Sequence, residues 1–231
     1  MHILSGFLMK LTVLFSGGKD SVFSAFWAMY QGHEVRLLSL VPESDSMMFH
    51  FPNVKYCREQ AGAMGVGIDF LHVENRNELA ELEAFLSKQA KAGHCEGVVA
   101  GAIESEYQKQ RIEQICARLG LASFAPLWRT YDSYVSEVTE YFNAVFSRVA
   151  AGGLGPEWLG KRFDSGFVRM AKSSRMQINP SLEGGEGETF VLDAPFYSKR
   201  LEITSSLVEK DGDSHTLAIS QMKAVVKHLK A

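Results

Sequence analysis

The feature that most constrains this chain is a hexad, Ser16-Gly17-Gly18-Lys19-Asp20-Ser21, set between a continuous apolar run and a helix-forming stretch. Residues 11–15 (LTVLF) read as a strand buried on both faces, the kind found inside a parallel sheet. Residues 20–31 read as a helix with Gly32 as its stop. Val22, Phe23, Phe26, Trp27, Met29 and Tyr30 make that helix apolar nearly all round, so deep burial is expected. A strand, a glycine turn and a helix start together suit an anion, because the first helical N–H groups lack partners and carry positive partial charge. Gly17 and Gly18 permit a sharp turn and place no Cβ in a phosphate's path. Ser16 and Ser21 add hydroxyls, and Lys19 adds a point charge. Asp20 opposes a phosphate unless it serves a Mg²⁺ ion or caps the helix. The plain alternative is a turn without a ligand. Neither GxxxxGK[ST] nor G-x-G-x-x-G is present, which disfavours a Walker NTPase and a Rossmann dehydrogenase.

The alternation of short apolar runs with helix-length segments continues through the first half. Strands are expected at residues 35–41, 68–73 and 97–101, and helices at 54–64, 78–92 and 107–119. Such a βαβ series implies a mostly parallel sheet with helices on both faces. The pattern changes after Trp128. Residues 133–150 read as one amphipathic helix, and residues 152–156 as a loop. A glycine-rich acidic stretch, Glu183 to Glu188, precedes a strand at 189–192. Runs at 201–208 and 216–219 flank Asp211-Gly212 as a hairpin, and the tail from Gln221 reads as helical. Two domains are expected, residues 1–128 for nucleotide and 129–231 for substrate.

Composition narrows the setting. The 231 residues are 46% hydrophobic and 22% charged, as in a globular protein, and the net charge of −3 weighs against an extended polyanion such as tRNA. Cys57, Cys95 and Cys116 are scattered, with no CxxC pair, which suits a reducing compartment and opposes a structural zinc site. No apolar run approaches the roughly 20 residues that cross a bilayer. The first residues lack the basic start and cleavage site of a secretory leader. A cytoplasmic protein with no membrane and no nucleic-acid partner is expected.

The hexad resembles the PP-loop of the ATP-pyrophosphatase superfamily, which implies cleavage of ATP between its α- and β-phosphates. Four further segments are similar to the diphthine–ammonia ligase family within it. They are Met48-Phe49-His50, the stretch from Gly101 to Glu113 containing Tyr107-Gln108 and Arg111, Gly155 to Lys161, and Glu183 to Thr189 with Val191-Leu192-Asp193-Ala194-Pro195-Phe196. The resemblance covers residues 10–196. The chain departs from the family pattern at Gly187, where an aromatic residue is usual, at Leu182 for Gly, at Asn179 for His and at Lys161 for Arg.

This resemblance implies an α/β, HUP-like doubly wound parallel sheet carrying the PP-loop, with a smaller C-terminal α+β domain. It implies ATP and Mg²⁺, with Ser16, Gly17, Gly18, Lys19, Asp20, Ser21, Val41 and Gly101 at the nucleotide and Asp20 at the metal. The implied reaction is amidation of diphthine on translation elongation factor 2, through an acyl-adenylate attacked by ammonia. Lys19, Glu183, Glu186 and Glu188 are the candidate catalytic residues, and His50, Tyr107, Gln108 and Arg111 the candidate substrate contacts. The glutamates suit diphthine's trimethylammonium group, or one of them suits a base that deprotonates ammonium; otherwise they are solvated charge. The rival readings are a PP-loop tRNA-modifying enzyme and an ATP-binding sensor without catalysis.

Overall fold

The computed structural model describes residues 8–42, 53–74, 77–150, 153–173 and 178–227. The chain divides into two compact units. One comprises Met1–Ser16, Asp20–Phe51 and Val66–Arg129, the other Gly17–Lys19, Pro52–Gly65 and Thr130–Ala231.

The first unit begins with β1 (Lys10–Leu14), the helix α1 (Lys19–Tyr30) and β2 (Glu34–Pro42). The chain then contributes a short 3₁₀ turn (Val54–Tyr56) and α2 (Cys57–Met64) to the second unit. It resumes the first with β3 (Gly67–Val73), α3 (Glu78–Lys91), β4 (Gly97–Val99), α4 (Glu106–Leu119) and β5 (Ala122–Phe124). The five strands are parallel in the order β3-β2-β1-β4-β5, the doubly wound arrangement. Sequence order reverses between β1 and β4, and in such sheets ligands bind outside the strand C-termini at that reversal. Leu38, Leu40 and Val98 of the sheet form one core with Leu82 and Leu86 of α3 and Ile112 and Ile115 of α4.

The burial of α1 differs from expectation. Its buried face is made of small residues, Ser21, Val22, Ser24, Ala25 and Ala28, while Phe23, Phe26, Trp27 and Met29 are half-buried and Tyr30 is exposed. Small side chains let a helix approach its neighbours closely, so the aromatics flank the contact; Trp27 stacks 5.6 Å from Phe124 of β5. Strand β5 itself, three residues long, carries too little pattern to read in advance.

The second unit continues with α5 (Tyr131–Tyr141), β6 (Asn143–Val149), α6 (Ser165–Ser173), β7 (Gly187–Asp193), β8 (Lys199–Asp211) and β9 (Ser214–Val226). Its antiparallel sheet has the order β7-β6-β9-β8. Two expectations fail here. Residues 133–150 are not one helix: the helix stops at Tyr141, Phe142 turns extended, and residues 143–149 pair with β7. Strand β6 is buried on both faces, so it shows no alternation, and a short apolar run of that kind fits either period. The tail from Gln221 is strand, not helix, because β9 pairs with β8 as far as Val226. The hairpin itself forms as expected, with Gly212 at φ +55 in its turn. Helix α6, not anticipated, buries Phe167 in an aromatic cluster with Phe146, Trp158 and Phe163, ring centroids 4.9 to 5.3 Å away. Among the described residues no helix is long and apolar enough to cross a membrane.

Candidate functional site

The hexad starts where β1 ends. Ser21 Oγ accepts the Ser16 N–H and lies 3.2 Å from Ser16 Oγ, tying the two ends of the motif together. Gly101 follows β4, and a Cβ there would stand 3.1 Å from the Asp20 carbonyl carbon, so a larger residue would press on the start of α1. Val41 is in the last turn of β2, paired in register with His72. Ser16, Val41 and Gly101 thus stand at the C-terminal ends of three adjacent strands, β1, β2 and β4.

The middle of the hexad, Gly17–Lys19, belongs to the second unit. Gly17 has φ +79, and its carbonyl accepts the Val191 N–H at 3.0 Å and Gln60 Nε2 at 2.9 Å. The Lys19 N–H donates to Thr189 Oγ1 at 3.1 Å. A Cβ on Gly17 would lie 2.5 Å from Gln60 Oε1 and 2.9 Å from the Phe190 ring, so any other residue would strain the backbone and displace these side chains. Strand β7 is an edge strand of its sheet. Edge strands leave backbone groups unpaired, and here Gly17 and Gln60 cover the Val191 N–H and C=O. The side chain of Lys19 is 2% exposed, with Nζ 5.6 Å above the Phe163 ring. The glycine motif and the strand after the acidic block, 170 residues apart, therefore share one hydrogen-bonded assembly.

The three glutamates take different positions. Glu183 is half-buried at the head of the acidic loop. Glu186 turns inward and is 7% exposed; its Oε1 accepts the Asn179 N–H at 2.7 Å, and its backbone carbonyl accepts the Ala150 N–H. A Cβ on Gly184 would stand 2.6 Å from Glu186 Oε1, so that glycine makes room for the carboxylate. Asn179 shapes the approach: its Oδ1 accepts both the N–H and the hydroxyl of Ser181. Leu182, one of the departures from the family pattern, adopts φ +66, the left-handed conformation that glycine favours. Gly187 leaves no room for the usual aromatic side chain on this backbone, since a Cβ would stand 2.8 Å from the Arg148 carbonyl oxygen.

Glu188 lies in β7 opposite Arg148 of β6, with 4.0 Å between Oε1 and Nη1. Burial pushes its carboxyl up to about 7, and Arg148 pulls the other way. About 35% of its side-chain surface stays open. A carboxylate that is reachable and titrates near neutrality can hold or release a proton under ordinary conditions.

In the first unit, Ser105 caps α4 by accepting the Gln108 N–H at 3.3 Å. Tyr107 is exposed, and the Arg111 guanidinium lies 3.3 Å over its ring centroid, one helical turn on. Gln108 is exposed beside them. His50 lies outside the described residues.

Among the described residues no group of three or more His, Cys, Asp or Glu side chains could hold a metal. Mg²⁺ is commonly held by one or two carboxylates together with phosphates, a requirement that needs no such cluster. The second unit also holds an open cavity of about 940 Å³, lined by Val145, Leu159, Lys161, Leu192, Asp193 and Arg200 among others. It takes in the Leu159–Lys161 stretch but none of the three glutamates. Gln60, Thr189 and Arg148 were not singled out from the sequence. Thr189 stood inside a recognisable motif, whereas Gln60 and Arg148 carry no local signal.

Residues 9–123 match the family model of the diphthamide synthase N-terminal domain, and residues 130–225 that of the diphthamide synthase C-terminal domain. The chain is 33% identical over 244 residues to the diphthine–ammonia ligase of Schizosaccharomyces pombe, covering 95% of this chain and 40% of that protein. It is 32% identical to the diphthine–ammonia ligase of Danio rerio, covering 88% of this chain and 90% of that protein. The Homo sapiens diphthine–ammonia ligase is also 32% identical, with 87% and 85% covered. The chain thus spans less than half of the Schizosaccharomyces pombe protein and most of the two vertebrate ones. A solved structure from Methanocaldococcus jannaschii, described as a subunit of tRNA methyltransferase, overlays with a TM-score of 0.45 at 18% identity, covering 81% of this chain and 98% of that one.

Proposed function

The chain belongs to the diphthamide synthase family, and from that membership we propose that it amidates diphthine on translation elongation factor 2, using ATP and ammonium. It is an ATP-dependent ligase that forms a C–N bond. The observation that carries the reading is the joining of the loop Gly17–Lys19 to β7, which continues the acidic block. One unit thereby holds a cation and backbone turn suited to phosphates together with carboxylates suited to a cationic acceptor.

The diphthine carboxylate attacks the α-phosphorus of ATP; an oxygen–phosphorus bond forms as the bond to the β-phosphate oxygen breaks, and pyrophosphate leaves. Ammonia then attacks the acyl carbon, AMP departs, and a proton passes to a base. Lys19 offsets the negative charge that grows on the leaving pyrophosphate. Ser16, Gly17, Gly18 and Ser21 complete the phosphate cradle, and Val41 and Gly101 border the adenosine. Asp20 would hold Mg²⁺, which draws charge from the phosphates when bound. Glu188, titrating near 7, takes the proton from ammonium. Glu183 adds negative field for the trimethylammonium group, and Glu186 keeps the loop in shape from within. Tyr107, Gln108 and Arg111 supply a stacking face and a cation for the adenylate or the acceptor carboxylate. The setting is the cytoplasm.

The test is product analysis with labelled ATP, Mg²⁺, ammonium and elongation factor 2 carrying diphthine. AMP and pyrophosphate are expected only with the factor, which loses the mass difference between a hydroxyl and an amino group. AMP formed instead with tRNA or a small carboxylic acid would overturn the acceptor assignment.

A further inference from the structure

The geometry around the glycine loop points to Gln60, in α2, as a positioning residue, and we propose that it fixes the backbone of the phosphate loop before ATP arrives. The inference rests on the reading of that loop as the ATP phosphate site.

Gln60 is fully buried. A buried amide costs stability unless it is hydrogen-bonded, and this one spends both of its N–H groups on carbonyls, Gly17 O at 2.9 Å and Val191 O at 2.8 Å. That assignment fixes the amide's orientation, because exchanging O and N would set an oxygen against two oxygens. The Gly17 carbonyl receives a second donor from the Val191 N–H. In a trans peptide the C=O and the next N–H point in opposite directions. Holding the Gly17 carbonyl therefore sets the direction of the Gly18 N–H. The following peptide is held at its other end, where the Lys19 N–H meets Thr189 Oγ1, so the Gly18 carbonyl is set as well. Both peptide planes of Gly17-Gly18-Lys19 are thus fixed from outside the loop, at a glycine in the left-handed conformation that would otherwise be free to relax. Donors oriented beforehand need no reorganisation as charge develops, which is where such groups contribute most to rate. Gln60 touches no reacting atom in this scheme; it acts through Gly17.

The test uses the full chain with Mg²⁺, ATP, ammonium and the diphthine-bearing factor, and follows AMP formation, ATP affinity by calorimetry and Tm. Gln60→Met keeps the length and bulk but removes both donors. It should lower kcat for AMP formation by about tenfold to a hundredfold, weaken ATP binding and leave KM for the factor unchanged. Gln60→Glu, which sets a carboxylate against two carbonyls, should lose more. Val138→Ala, in the buried face of α5, serves as a control that lowers Tm without touching the loop and should keep kcat. Should Gln60→Met fail to fold, Gln60→Asn withdraws the same donors by one methylene and must show the same loss. If the folded variant lost Tm but kept kcat and ATP affinity, Gln60 would be only structural and the proposal would fall. Absence of ATP binding by the unsubstituted chain would instead overturn the phosphate-site reading itself.

Discussion

Two glycine-rich loops, residues 16–21 and 183–188, look alike on paper and differ in what holds the group that matters in each. The first is fixed by partners far away in sequence: Thr189 on Lys19, Val191 and Gln60 on Gly17. The second holds its carboxylate locally, with Glu186 receiving the Asn179 N–H seven residues back and Gly184 wrapped around that carboxylate, while its backbone joins β6 through the Ala150 N–H. A loop that must present a fixed surface to phosphates gains from anchors on a separate strand. Glycine also serves differently in each: at Gly17 it answers a side chain pressing from outside, at Gly184 one pressing from within.

The largest effect expected from disturbing this contrast is at Lys19. Lys19→Ala should cut AMP formation by about a hundredfold or more with the fold intact, as loss of a charge clamp does; retained turnover would take the loop out of the mechanism. Next comes Gly17→Ala, which meets both a positive φ and a contact of 2.5 Å with Gln60. It should cost about 2 kcal/mol in thermal or urea unfolding and weaken ATP binding. Gly185→Ala, also at positive φ but in open space, should cost less and spare ATP binding. Equal losses at the two positions would erase the distinction between the loops.

Glu188 sharpens the comparison through pH. Its folded carboxyl is raised to about 7, so the folded state binds the proton more tightly than the unfolded chain does. The resulting stabilisation is complete below the unfolded carboxyl's pKa of about 4.3 and is lost as pH rises through about 7. Glu188→Gln should remove that slope, seen as Tm curves that converge in acid and separate toward neutral pH, with the variant higher. Amidation by the unsubstituted chain should rise with pH through about 7, and the variant should lack that rise. Parallel Tm curves would show that the raised value has no thermodynamic consequence. The smallest effect belongs to Thr189→Val, which removes the acceptor of the Lys19 N–H. A loss of about 1 kcal/mol is expected by chemical denaturation, with a modest fall in ATP affinity.

Much of the parallel sheet was readable because short, mainly apolar runs alternate with helix-length segments, three of which stop at Gly32, Gly65 and Gly120. Strand β6 was misread as the end of a helix because burial on both faces removes the alternation that marks a strand. Strand β9 was cut short since its distal residues are half exposed and are held as strand by β8 alone. The hexad and the acidic block were each visible, but nothing in the sequence linked them. Gln60 sits in an unremarkable helical run, CREQAGAM, where a polar residue reads as surface.

The sequence by itself determined the βα alternation, the hairpin at Asp211-Gly212 and the two motifs, because each depends on residues within one turn or one strand of each other. Only the tertiary structure decided which groups hold the Gly17 carbonyl, which way Glu186 faces and how far burial raises Glu188. Those outcomes depend on backbone edges and buried polar partners brought together across 170 residues or more, and local pattern carries no record of them.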